Sequence, residues 1–126
     1  MCGIAGIFES SEAFSVRRGK ALEMASLLRH RGPDWSGIYA DEKVVLVHER
    51  LSIVDVEHGT QPLIDSDTGN VLSVNGEIYN HIELKNELSQ KGLSFRTNTD
   101  TEVIIQSYLH CGEDCVHHFN GMWAFV

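Results

Sequence analysis

The segment Val44-Val45-Leu46-Val47-His48-Glu49-Arg50-Leu51 limits the fold more than any other. Its first four residues are large and apolar without alternation, the pattern of a strand covered on both faces. It then turns abruptly to charge. A charged end on a buried strand commonly marks the edge of a site, because a cation or carboxylate taken from water needs a partner. Ser36 to Ala40 reads as a second strand, joined to the first through the turn Asp41-Glu42-Lys43.

The flanking chain supplies layers for such a sheet. Residues 2–8 are small and branched apolar residues and read as a further covered strand. Ser15 is the expected cap of a helix from about Val16 to Leu28, with Leu22, Met24, Ala25, Leu27 and Leu28 on its apolar face and Arg17, Arg18 and Lys20 turned away. Gly32-Pro33 ends that helix region. After a turn at Asp65 to Asn70, Val71 to Val74 reads as a strand. A second helix begins near His81 with Asn80 as its cap, carries Ile82, Leu84 and Leu88, and stops at Gly92. Ser94 to Arg96 is expected as a short strand. Thr99-Asp100-Thr101-Glu102 has the form of a capping box opening a helix with Val103, Ile104, Ile105, Tyr108 and Leu109. Phe119 to Val126 reads as a closing strand. Strand, helix, several strands, helix, strand, helix, strand is an α+β or layered α/β order.

With 126 residues the chain has the length of one domain. A formal net charge of −8 argues against nucleic acid or an anionic membrane as partner. Three cysteines make a poor disulfide framework and suit a reducing, cytoplasmic setting. No secretory pattern or bilayer-length apolar stretch is visible.

Several stretches carry chemistry, each with a structural reading beside it. Cys2 is either a small apolar strand residue or, once Met1 is removed, a thiol beside its own α-amino group, the pairing of nucleophile and base used in covalent catalysis. Arg29-His30-Arg31-Gly32-Pro33-Asp34-Trp35 is either a solvated helix end or a ligand-facing loop. Asn75-Gly76 signals a hairpin turn, although a helix rather than a strand follows. His110, Cys111, Cys115, His117 and His118 are dense in soft ligands, but their spacing does not match the usual zinc patterns, so no metal is expected. No glycine-rich phosphate loop is present, so no ATP site is expected within the chain.

Taken together, Met1-Cys2-Gly3-Ile4, Arg29 to Asp34, His48 to Asp55, Gln61-Pro62-Leu63, Asn75 to His81, Thr99 to Ile104 and Gly121 to Phe125 resemble the N-terminal glutaminase domain of class II glutamine amidotransferases, of the N-terminal-nucleophile hydrolase type. Within that family the run His48 to Asp55 favours the glutamine-dependent asparagine synthetase branch. The motifs stand in family order over nearly the whole chain.

The resemblance implies an αββα sandwich in which two antiparallel sheets lie between helical layers. It implies that residues 1–126 are the first part of a longer glutamine amidotransferase domain, with one sheet incomplete and a synthetase domain outside the chain. It makes Cys2 the nucleophile, with its α-amino group as base and then acid. Asn75 and Gly76 become the oxyanion donors, the glycine letting the backbone approach closely. Arg50 takes the α-carboxylate of glutamine. Glu77 and Asp100 surround its ammonium, and Leu51, Ser52, Ile53 and Val54 line the pocket, Ile53 and Val54 through backbone groups. Arg31 supports from the neighbouring loop. The expected partners are glutamine and an ammonia-accepting synthetase domain that binds ATP and Mg²⁺ and converts aspartate to asparagine. A homodimeric parent is compatible with the resemblance. A sugar phosphate or phosphoribosyl pyrophosphate as ammonia acceptor, and a non-catalytic fragment, are the alternatives.

Overall fold

A computed structural model describes residues 1–53 and 59–126. Strand β3 (Val44–Arg50) is the centre of a three-stranded antiparallel sheet, flanked by β1 (Gly3–Phe8) and β2 (Trp35–Ala40). Strand alternation sends Val45, Val47 and Glu49 to one face and Leu46, His48 and Arg50 to the other. Val45 and Val47 pack with Ala5 and Ile7 of β1, Ala40 of β2, and Ala21 and Ala25 of helix α1 (Phe14–Leu28). Full burial of each valine contributes about 1.5–3 kcal/mol. The opposite face is equally closed: Leu46 and His48 are buried, and His48 Nδ1 is 3.0 Å from Ser73 Oγ. The continuous apolar run thus has cover on both sides, as its composition predicts.

The second half builds the facing layers. Strands β4 (Leu63–Ile64) and β5 (Val71–Leu72) form a small antiparallel pair, and β6 (Val74–Ile78) pairs antiparallel with β7 (Gly121–Phe125). Val74 and Ile78 join Trp123 and Phe125 on one face, against Leu84 of α2 (His81–Gln90) and Val103, Ile104 and Ile105 of α3 (Glu102–Cys111). Phe119 sets its ring edgewise to Trp123 and Phe125, with centroids 5.9 and 6.3 Å apart. β1 approaches β6 across the middle. The layers run α1, first sheet, second sheet, then α2 and α3, an α+β arrangement of antiparallel sheets between helices. Among the described residues no helix is long and apolar enough to cross a membrane.

Several local expectations are corrected. Helix α1 starts at Phe14 after Ala13, which makes no side-chain cap, so Ser15 lies inside the helix. Its buried stripe is Arg17, Ala21 and Ala25, while Leu22, Met24 and Leu27 stay exposed. The helix lies close to the sheet at its C-terminal end, where a Cβ on Gly3 would come within 2.9 Å of Leu28 Cβ. Arg17, expected in solvent, lies buried and donates through Nη2 to the Glu42 carbonyl at 2.7 Å.

Ser94 to Arg96 forms no strand. The capping box does not form either. Thr101 is the N-cap of α3 without a side-chain bond. The Glu102 carboxylate reaches past it and accepts the Arg96 and Thr97 N–H groups, each at 2.7 Å. Asn80 precedes α2 without capping it. Its Nδ2 donates to the His118 carbonyl and its Oδ1 accepts the Asn120 N–H, both at 2.9 Å, tying the end of β6 to the approach to β7. α3 ends before Gly112, and a 3-10 turn (Gly112–His118) continues the chain with Cys115 buried in it.

Candidate active site

The charged end of β3 and the first residues of β1 meet because the two strands are antiparallel. Gly3 pairs with Glu49, which places Cys2 beside the exit of β3. The Leu51 N–H donates to Cys2 Sγ at 3.4 Å, and Sγ lies 3.7 Å from the Leu51 carbonyl oxygen.

The loop after α1 clamps this junction. Arg31 Nε donates to the Cys2 carbonyl at 3.0 Å. The Asp34 N–H donates to the Arg50 carbonyl at 3.1 Å, and Asp34 Oδ2 accepts the Ser52 N–H at 2.8 Å. Gly32 lies directly on β3, where a Cβ would stand 2.1 Å from the Glu49 oxygen. Beneath the loop, buried Glu49 accepts Arg29 Nη1 at 2.9 Å and Ser36 Oγ at 2.8 Å. The arginine-rich loop is therefore a brace for the residues on either side of Cys2, a role neither of its sequence readings described.

A cleft opens beside Cys2. Arg50, Leu51 and Ile53 line it from the β3 side, Gly76 and Glu77 from β6, and Asp100 from the loop before α3. Its space is about 570 Å³ including the open mouth. Arg50 and Asp100 are 6% and 7% exposed, so both charges are presented to the cleft rather than to bulk water. Asp100 Oδ2 accepts the Ile78 N–H at 2.9 Å, which fixes the carboxylate against β6. The Arg50 guanidinium lies against Gly59, where a Cβ would approach Nη2 to 2.3 Å and would displace the guanidinium. One cleft thus holds a thiol, a buried cation and two carboxylates. That set can seat a small zwitterion and direct one of its carbonyl carbons at sulfur.

Not every expected residue reaches the wall. Ser52 uses its N–H on Asp34, and Arg31 acts on the Cys2 backbone from behind. Asn75 and Gly76 form no hairpin turn; they lie inside β6 opposite Ala124 and Trp123 of β7. The local Asn-Gly signal yields to a pairing with a strand some 45 residues away. Gly76 is needed for that pairing, since a Cβ would meet the Met122 oxygen at 2.3 Å. Asn75 Oδ1 is buried and has no hydrogen-bond partner. Val54 and Asp55 lie outside the described residues.

The wall also contains Met1, Gly59, Gln61, Val74, Thr99 and Thr101, none of which carried a predicted role. Thr99 and Thr101 flank Asp100, and Gln61 stands in the Gln-Pro-Leu motif, so sequence proximity to a motif was the available signal. His48, on the inner face between the sheets, has its pKa pushed down to about 4, mainly by burial and further by the charge of Arg50, with Glu49 opposing. It is a neutral imidazole near pH 7 and faces the Ser73 hydroxyl.

Comparison with known proteins places this geometry. Residues 1–126 match the family model described as a glutamine amidotransferase domain. A probable glutamine-hydrolysing asparagine synthetase of Dictyostelium discoideum is 50% identical over the whole chain, and asparagine synthetase B of Escherichia coli (strain K12) is 49% identical over the same span; the chain covers 23% of each. A glutamine-hydrolysing asparagine synthetase of Oryza sativa is 46% identical, with 21% of its length covered. The chain therefore spans less than a quarter of these relatives. Among solved structures, the fold is similar to a glutamine phosphoribosylpyrophosphate amidotransferase of B. subtilis, at TM-score 0.73 and 22% identity, covering 97% of this chain and 34% of that one. It is also similar to an allosteric regulatory enzyme of purine biosynthesis, at TM-score 0.74 and 23% identity, with the same coverages.

Proposed function

Since the chain belongs to the glutamine amidotransferase domain family, we propose that its cleft hydrolyses glutamine to glutamate and ammonia, with Cys2 as nucleophile. The observation that carries this reading is the convergence of Cys2, Arg50, Glu77 and Asp100 on one cleft from four separate parts of the chain. Arg50 binds the α-carboxylate, and Glu77 and Asp100 receive the α-ammonium. These charges orient the side-chain amide toward Sγ. Removal of Met1, which lines the cleft beside Cys2, exposes the α-amino group of Cys2.

That amine takes the thiol proton, directly or through a water. The thiolate adds to the amide carbon, and the C–O π electrons move onto oxygen. The Asn75 side-chain amide and the Gly76 N–H stabilise the oxyanion, each donor contributing about 2.7–4 kcal/mol. The protonated amine returns its proton to the leaving nitrogen, the C–N bond breaks, and ammonia departs. Water then attacks the γ-glutamyl thioester, giving glutamate and the free thiol.

The relatives are named as glutamine-hydrolysing asparagine synthetases, and we propose that the ammonia serves asparagine synthesis in a parent enzyme, with aspartate as acceptor and ATP as the energy source. The residues in hand do not fit ATP or Mg²⁺: the chain has no glycine-rich phosphate loop, and among the described residues no group of three or more His, Cys, Asp or Glu could hold a metal ion. No step above runs through either. Three free cysteines suit a reducing cytoplasm for this chemistry. The test is glutamate release from glutamine by the parent enzyme, with and without Cys2→Ala. Equal release by both would overturn the assignment.

A further inference from the structure

Gln61 is a buried polar residue of the cleft wall that the mechanism above does not use. It is 7% exposed. Its Oε1 accepts the Val74 N–H at 2.7 Å, a buried bond to the first residue of β6. Its backbone is wedged against β2: a Cβ on Gly37 would stand 1.8 Å from the Gln61 carbonyl oxygen. Both the backbone and one end of the side chain are thereby held.

An anchored carbonyl oxygen sets the orientation of the whole planar amide. The acceptor side is spent on Val74, which leaves Nε2, with two N–H donors, as the other end of an amide in the cleft wall. Among the described residues no protein acceptor is bonded to Nε2, and Nε2 is not among the buried atoms without a partner. A wall position that offers only donors selects an acceptor on the ligand. Two residues earlier, Gly59 packs against the Arg50 guanidinium. The same short segment thus touches Arg50 and contributes Gln61 to the wall of the cleft that Arg50 also lines.

We propose that Gln61 is a substrate-reading residue, whose carboxamide N–H groups donate to the α-carboxylate of glutamine beside Arg50. This inference rests on the reading of the cleft as a glutamine site. It assigns carboxylate recognition to two donors on different segments, one charged and one neutral. Arg50 supplies attraction, and Gln61 supplies direction, because its amide plane is fixed through Val74.

The test is steady-state glutaminase kinetics of the parent enzyme carrying Gln61→Glu or Gln61→Met. Gln61→Glu keeps an oxygen for the Val74 N–H but replaces the donors with a carboxylate facing the substrate carboxylate. Its KM for glutamine should rise at least ~10-fold, with kcat changed far less. That KM should fall again as the pH is lowered and the introduced carboxyl gains a proton, while the wild-type KM does not follow this course. Gln61→Met should raise KM independently of pH, and it carries the comparison if Gln61→Glu does not fold. An unchanged KM in either folded variant, or a loss confined to kcat, overturns the inference and leaves the glutaminase reading standing. A wild-type enzyme that releases no glutamate overturns that reading, and this inference with it.

Discussion

Acidification between pH 7 and pH 5 should destabilise this protein through His48. The side chain is 0% exposed, its Nδ1 faces Ser73 Oγ, and its Nε2 is buried without a partner. In the folded chain its pKa lies at about 4, against an ordinary value of 6.5. The unfolded chain therefore takes up a proton near pH 6.5 that the folded chain refuses until near pH 4. Across that window the unfolded state binds more protons, so stability rises with pH. The contribution is fully present above about pH 6.5 and is lost as pH falls through the window. With these two pKa values the loss between pH 7 and pH 5 is about 2 kcal/mol, approaching about 3 kcal/mol by pH 4. Urea unfolding at pH 7, 6 and 5 measures it, with His48→Gln as the reference. Carboxylates that titrate in both proteins cancel in the difference. Wild type should lose about 2 kcal/mol more than His48→Gln over this range. Parallel pH dependences would show that His48 does not carry the effect, and would refute the assignment of a neutral, desolvated imidazole.

Other perturbations follow from the same geometry. Cys2→Ala in the parent enzyme should abolish glutamate release while leaving the melting temperature unchanged, and retention of Met1, checked by intact mass, should do the same by blocking the α-amino group. Arg50→Ala should raise the KM for glutamine more than it lowers kcat, because a charged hydrogen bond to the α-carboxylate is lost. Gly76→Ala should cost about 1–3 kcal/mol in urea unfolding, since its Cβ would collide with the Met122 oxygen. Glu102→Ala should cost about 1–3 kcal/mol by stranding the Arg96 and Thr97 N–H groups, and should also weaken glutamine binding by loosening the loop that carries Asp100.

The expected site was legible mainly through the resemblance of seven motifs to a known family. Local chemistry by itself left Cys2 open between a strand residue and a nucleophile, and marked Arg50 only as part of the charged end of an apolar strand. Val44 to Val47 was legible as a two-sided strand: no alternative burial fits four adjacent large apolar side chains. The errors cluster where one segment's state depends on a distant one. Asn75-Gly76 has the local preference of a turn, but β7 offers it backbone partners. The Thr99 to Glu102 pattern has the form of a cap, but the nearer unsatisfied donors belong to Arg96 and Thr97.

Local pattern thus indicated most of the helices and strands and where the central strand must be buried, and the family resemblance of the motifs named the side chains expected at the site. Long-range packing settled the rest. It turned the Arg29 to Asp34 loop into a brace, buried Arg17 of α1 with its Nη2 on the Glu42 carbonyl, and set Gln61 in the cleft wall with its oxygen on Val74. The division has a physical origin. Propensity and alternation act over a few residues, whereas a buried polar group is stabilised by a hydrogen bond that some other segment supplies, and that segment is chosen by the fold as a whole.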